Sequence, residues 1–425
     1  MKKLLCFFTS LFLISFLGFG QSYDIVIRNG HVIDPKNNID AVMDIGIRGG
    51  KIATVAKKVD TSKAIQVVDA KGLIVTPGLI DIHTHDFFGT EPDHYLSNGL
   101  DAIAPDGFTF RTGVTTVVDA GSSGWKSFAL FKKNIIDNSK TRILVMLNIV
   151  GEGMRGGPWE QDRRDMDGRL TGMLARANAK IVVGIKTAHF EGHDWTAVDQ
   201  AVEAGKLANI PVMVDFGGST PPLSIEELFM KHLRPGDIFT HCYAQLRTRE
   251  SIVDTLTWKI KPFVFEARKR GIIFDVGYGG ISFAFSQAIP ALQQGFAPNS
   301  ISTDLHTGSM NNAMKDLLNV MSKFMAMGMD LQSVINASTW NPAREIKHEE
   351  LGNLSVGAGA DIAILNLRKG KFGFFDYVGR KIEADQKLEA EMTILGGKIV
   401  YDLNGIADPV IAPAIPHLPA APELH

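Results

Sequence analysis

A chain of 425 residues, 45% hydrophobic and 21% charged, has the composition of an ordinary globular protein with ample material for a large core. Its formal net charge of −2 argues against a nucleic-acid partner and leaves small molecules as the expected ligands. Cys6 falls in an N-terminal apolar stretch and Cys242 is the only other cysteine, so a chain lacking that stretch forms no internal disulfide and must rely on packing or metal.

The chain opens on Lys2 and Lys3, an apolar run from Leu4 to Leu17, and Gly18-Phe19-Gly20, with small residues at the two positions that a signal peptidase inspects. Residues 1–20 are therefore expected to be a secretory signal, sending the mature chain to the periplasm or outside the cell with no stable membrane anchor. The apolar run is short for a membrane span, and polar Gln21-Ser22 follows at once.

From residue 21 to 75 short β-rich runs alternate with turns, as in Asp24-Ile25-Val26-Ile27-Arg28 before Asn29-Gly30. The same texture returns between 346 and 403, in Ala360–Leu365 and Met392–Tyr401. Strands at either end would lack partners alone, so they are expected to pair into one composite β-sandwich domain.

Between them, in 76–345, strand-like runs alternate with helical stretches: one before His83, then Thr115–Val118, Ile143–Val150, Ile181–Lys186, Pro211–Phe216, Ile238–Cys242, Ile272–Val276 and Ile301–Asp304. Eight β/α units fit an α/β TIM barrel, a (β/α)8 ring with its chemistry at the strand ends, and a doubly wound sheet is the alternative. Helices are expected at Trp195–Ala208 and Asn312–Met327. Residues 404–425, with Pro409, Pro413, Pro416, Pro419 and Pro422, should form an extended tail. The composition is compatible with a homo-oligomer.

Within Asp81-Ile82-His83-Thr84-His85, alternation puts His83 and His85 on one side, where two imidazoles can grip one cation. The apolar run Leu73–Val75 just upstream reads as the buried strand that carries them. Lys186, Asp215, His241 and Asp304 close other strand-like runs. Each alone is more often structural, because buried polar groups usually just find hydrogen bonds. Their joint placement after successive strands is what points to a metal site.

Together with Pro77-Gly78-Leu79-Ile80 before the first motif, Gly113–Gly121, Gly184-Ile185-Lys186, Thr240-His241-Cys242, Ser302–His306 and Asn341-Pro342-Ala343, these residues resemble the amidohydrolase superfamily, more narrowly its amidohydrolase/deacetylase (dihydroorotase-like) branch. The resemblance implies a barrel with a composite β domain, one or two divalent metal ions, zinc or manganese, and hydrolysis of amide or ester bonds. By position, His83 and His85 would hold one metal, a carboxylated Lys186 would bridge two, His241 would hold the second, and Asp304 would ligate the first and act as general base. Two metals roughly 3.5 to 4 Å apart can activate water and polarise a carbonyl. The family usually has a histidine after the fifth strand. Here that place is Asp215, and either Asp215 or nearby His189 would serve instead.

Two readings compete. Gly151-x-Gly153-x-x-Gly156 matches a dinucleotide-binding pattern, but Gly157-Pro158 and charged residues follow where a phosphate-facing helix should begin. A non-catalytic binding protein on a hydrolase scaffold is opposed by the full ligand set. For substrate, the superfamily's cyclic-ureide and dihydroorotate hydrolases often follow His-x-His with an arginine, whereas Asp86-Phe87-Phe88 follows here. The expected substrates are N-acyl amino acids or acylated hydroxy acids, with Arg155 as a carboxylate clamp and Tyr278 and His306 as further contacts.

Overall fold

The computed structural model describes residues 22–89, 101–215 and 217–409. The expected signal, Phe216 and the tail prolines after Pro409 lie outside the described residues. Among the described residues no helix is long and apolar enough to cross a membrane.

Strands β1 (Tyr23–Asp34), β2 (Ile39–Arg48), β3 (Lys51–Ala56), β4 (Ala64–Asp69) and β5 (Ile74–Pro77) come first. Asn38 before β2 and Gly49 and Gly50 after it take φ of 53°, 57° and 73°. These are left-handed conformations that Asn and Gly adopt at little cost, so tight turns can form there. Then come β6 (Leu79–Thr84), β7 (Val114–Gly124), β8 (Arg142–Asn148), β9 (Val182–Thr187), β10 (Val212–Val214), β11 (Ile238–Phe239) and β12 (Ile273–Phe274), which form one seven-stranded sheet in chain order. All its pairings are parallel, and β6, β7, β9, β10 and β11 are buried along their whole length. Burial along the whole strand is what a parallel sheet covered on both faces requires.

The C-terminal strands β13 (Ile362–Phe375), β14 (Lys381–Leu395) and β15 (Lys398–Asp402) join the first five. β13 lies antiparallel to β5, with Ile362 opposite Pro77 and Leu365 opposite Ile74. The two chain ends therefore share one continuous eight-stranded sheet, where two stacked sheets were expected. Ile27, Ile45, Ile47, Ile362 and Met392 belong to a single core cluster against it.

Two expectations need correction. Ile74 and Val75, in the apolar run expected to lead into the His83 strand, belong to β5 and pair with β1 and β13. The chain changes sheets at Gly78, where a Cβ would lie 2.3 Å from Thr115 Oγ1, so no larger residue fits. Nor is Ile301–Asp304 a regular eighth strand. Its segment makes isolated parallel bridges to both edges of the parallel sheet, Thr84 to Leu305 and Asp275 to Ser300. Leu305 N donates to His83 O at 3.2 Å and Val276 N to Ser300 O at 3.1 Å, so the segment links β6 to the end of β12.

Helices occupy Thr196–Ala208 and Leu317–Ala326. The second begins later than its periodicity suggests because Asp316 is its N-cap, accepting from Asn319 N at 2.7 Å. In β12, Phe274 is fully buried and meets Phe229, Phe239 and Phe296 edge-to-face, with centroids 5.4, 6.1 and 4.9 Å away. Replacing it with alanine should cost about 3–5 kcal/mol of stability. Urea denaturation of Phe274→Ala would contradict this packing if the loss stayed below about 1 kcal/mol.

Candidate active site

The ends of the parallel strands converge on a cavity of about 1060 Å³ lined by His85, His189, Asp215, His241 and Asp304 among others. His83, His85 and Asp304 offer ligand atoms that all lie within 4.8 Å of one another. Asp304 Oδ1 is 2.9 Å from His85 Nε2 and 3.5 Å from His83 Nε2. Lys186 Nζ is 2.9 Å from His83 Nε2. Two imidazoles and a carboxylate, fully or nearly buried, suit zinc or manganese, and the donor set fits the metal that the sequence pattern implies.

Across the floor, Asp215 Oδ2 lies 3.3 Å from His241 Nε2 and 3.6 Å from His189 Nε2. The other oxygen of Asp215 is paired closely with Arg249. His189, His241 and Asp304 have φ of 56°, 54° and 53°, left-handed conformations that non-glycine residues rarely hold and that concentrate at functional sites.

Each imidazole is anchored through its Nδ1. His83 Nδ1 donates to Thr240 Oγ1 at 2.9 Å, because that hydroxyl gives its own proton to Asp275 at 2.7 Å. His241 Nδ1 donates to Gly277 O, an acceptor only. His85 Nδ1 is 3.1 Å from Ser122 Oγ, and Ser122 N donates to Asp119 at 2.9 Å. His189 Nδ1 is 2.8 Å from Glu160 Oε2. Metal-binding histidines carry this signature, the outer nitrogen fixing the ring so that Nε2 points inward. Glycines make the room: at Gly121 a Cβ would stand 2.7 Å from Lys186 Cγ, and at Gly277 2.9 Å from both His241 Nδ1 and His83 Nδ1.

Burial lowers the pKa of Lys186, against the opposing pull of Asp215 and Asp304, and so favours the neutral, nucleophilic amine. Burial, followed by the charge of Lys186, lowers His83 to about 3 and keeps it a neutral ligand. For Asp304 burial works upward, but His83, His85 and His306 outweigh it and hold the carboxyl well below its usual range. Asp215 is likewise held down against burial by His241, Arg249 and Lys186. His189 is raised to about 9, since Glu160 and Asp215 on either side outweigh burial, so a cation there competes with a proton.

Of the expected substrate contacts, Arg155 and His306 line the cavity. Tyr278 does not. It is fully buried, its ring stacks on Phe283 at 4.3 Å, and its hydroxyl donates to Phe375 O at 2.9 Å and accepts from Lys323 Nζ at 3.0 Å. Gly277 and Gly279 around it take positive φ, and the intervening side chain points into the core. Sequence reading missed Arg249, Glu160, Asp275 and Asp119. Arg249 sits in a loop with no strand before it, and the three acids lack the spacing of a ligand motif.

Arg249 is 5% exposed at its side chain and neutralises a carboxylate that is itself only 10% exposed. Arg249→Met should therefore cost about 3–5 kcal/mol by stranding Asp215. A denaturation midpoint unchanged from that of the parent would show that the pair carries no such weight.

The amidohydrolase family model matches residues 285–400. A protein named deacetylase from Brucella anthropi is 33% identical over 371 residues, which cover 85% of this chain and 88% of that relative. A deacetylase of Enterococcus faecalis is 29% identical over 392 residues, covering 90% and 100%. Among solved structures, one described as an adenine deaminase aligns with a TM-score of 0.81 at 29% identity, covering 90% of this chain and 100% of that one. Another, described as a dihydroorotase, has a TM-score of 0.78 at 29% identity, covering 89% and 99%. These likenesses imply a TIM-like barrel with a second domain.

Proposed function

The chain belongs to the amidohydrolase family, metal-dependent hydrolytic enzymes acting on carbon–nitrogen bonds, and from that premise we propose that it deacylates N-acyl amino acids or acylated hydroxy acids. The observation that carries the substrate reading is the pairing of the His83/His85/Asp304 group with Arg155 in one cavity. Relatives named deacetylase along most of their length support the acyl-group reading.

His83, His85 and Asp304 would hold one divalent ion, and His241 with a carboxylated Lys186 and either Asp215 or His189 a second. When bound, the metal supplies a Lewis acid for the scissile carbonyl and lowers the pKa of water. The protein's own residues do the rest. Asp304, kept ionised by its imidazole neighbours, takes the proton released on attack and delivers it to the leaving nitrogen or oxygen. His306 accepts from Gly308 N through Nδ1 at 3.2 Å, which leaves Nε2–H, 3.8 Å from Asp304 Oδ2, to donate to the substrate.

Arg155 stacks 4.1 Å above the Trp159 ring, donates to Glu152 at 3.4 Å, and has a buried Nε without a hydrogen-bond partner. A substrate carboxylate would complete it. A second reading, cyclic amide hydrolysis, draws on the likeness to a structure described as a dihydroorotase. We also place the mature chain in the periplasm or outside the cell, on the signal-like pattern of residues 1–20.

Screening N-acyl amino acids, acyl esters of hydroxy acids, dihydroorotate and adenine decides among these readings. Turnover of dihydroorotate or adenine alone would overturn the deacylase assignment. Chelation should abolish turnover, with zinc or manganese restoring it, and full activity in metal-free protein would sink metal dependence. Asp304→Asn should lower kcat by at least about a hundredfold while much of the metal stays bound, because an amide offers an oxygen but no base. Arg155→Met should raise KM about tenfold or more for carboxylate-bearing substrates and spare their neutral amides.

A further inference from the structure

We infer that Leu246 and Ile281 form an apolar subsite for the acyl chain, so that the preferred substrates carry acyl groups larger than acetyl, an inference that rests on the deacylase reading above.

Ile281 and Leu246 belong to the loops that follow β12 and β11, and Arg155 to the loop that follows β8. All three line the cavity. With the Ile301–Asp304 segment linking β12 back to β6, β8 is third and β12 seventh of eight places around the barrel. Their loops therefore stand across the mouth from each other. The His83/His85/Asp304 group comes from the first and eighth places, between them. In a trans amide the carbon atoms on either side of the bond point in opposite directions. An N-acyl amino acid with its carboxylate on Arg155 and its carbonyl at the His83/His85/Asp304 group thus sends its acyl chain toward Ile281 and Leu246.

This wall is close to the chemistry and held in place. A Cβ at Gly279 would lie 2.7 Å from Asp304 Oδ2 and 3.3 Å from Ser282 Cβ, so Gly279 stands between Asp304 and the neighbour of Ile281. Gly280 O accepts from Asn312 Nδ2 at 3.1 Å, Ala284 N donates to Tyr243 O at 3.1 Å, and Gln245 O accepts from Tyr377 OH at 2.7 Å. These bonds tie the two loops together, and a preformed wall loses little freedom on binding. Ile281 is nevertheless 57% exposed. A lone exposed isoleucine on an outer face would carry no meaning. This one lines a cavity of about 1060 Å³, more space than an acetylated small amino acid can fill.

Binding is read without turnover in the zinc-loaded, full-length Asp304→Asn protein, by calorimetry with acetyl-, butanoyl- and hexanoylglycine and with acetylalanine and acetylleucine. Affinity should rise roughly fourfold per added acyl methylene from acetyl to butanoyl, and further to hexanoyl. Adding Ile281→Ser or Leu246→Ser should lower the affinity for hexanoylglycine about tenfold relative to that for acetylglycine. Ile281→Leu should keep the rise, which guards against a folding defect in the serine variant.

No rise with acyl length, a rise that survives both serine variants, or a dependence on the amino-acid side chain in its place would overturn the subsite. A parent that hydrolyses acetylglycine without any such rise would reject this inference alone. A rise with acyl length in Asp304→Asn beside a parent that hydrolyses none of the series would reject the deacylase reading and leave the subsite intact. Binding of none of the five compounds would overturn both.

Discussion

A carboxylate taken out of water costs several kcal/mol unless cations or donors surround it. Around this cavity Asp81, Asp119, Asp275 and Asp304 are buried and Asp215 is nearly so. Asp81 accepts from Thr303 and His83 N, Asp119 from Asp86 N and Ser122 N, and Asp275 from Thr240, Ser300 and Ser302. These three are satisfied by the scaffold and in turn orient the groups that hold the imidazoles. Asp215 and Asp304 instead face histidines, Lys186 and Arg249. Two layers of acid result, an outer one that fixes geometry and an inner one left for chemistry.

That layering ties the site to the barrel's closure. The segment around Ile301–Asp304 is irregular, yet Ser300 and Ser302 bind Asp275, Thr303 binds Asp81, and Asp304 reaches both motif histidines. A regular strand would turn alternate side chains outward. Here the left-handed turn at Asp304 frees it from that alternation and aims its carboxylate at the ligands. The cost of such backbone, about 1–3 kcal/mol per residue, is borne where the surrounding hydrogen bonds overdetermine it.

Sequence alone went far where chemistry repeats with strand period. His83, Lys186, Asp215, His241 and Asp304 are legible as a set in the sequence, although the apolar run read as carrying His83 belongs to another sheet and the Asp304 segment is no regular strand. In the structure Asp215, His241 and Asp304 line the cavity, and the buried His83 and Lys186 lie beside Asp304 and each other. Tyr278 was misplaced since nothing local shows that a residue flanked by two positive-φ glycines turns inward to stack on Phe283. The long β13–β14 pair was read only at its apolar base. Its outer half carries the exposed Arg368, Lys369, Lys371 and Lys381, and the alternation of Ile382, Ala384, Leu388 and Ala390 with charged residues there is a strand signal that the sequence reading passed over. Glu160 and Arg249 could not be read at all, because their meaning lies in partners 29 and 34 residues away on other loops.

The shared sheet has a consequence for how the chain must be assembled. β5 finds its neighbour β13 only after the whole of 78–361 has been made, so the N-terminal strands cannot complete their sheet during early synthesis. Long-range pairing of this kind is slow, and unpaired strand edges invite association with other chains. The barrel between them is built largely from sequential neighbours and is free to form first. It would then bring residues 77 and 362 together and convert the final closure from a search over hundreds of residues into a local docking step.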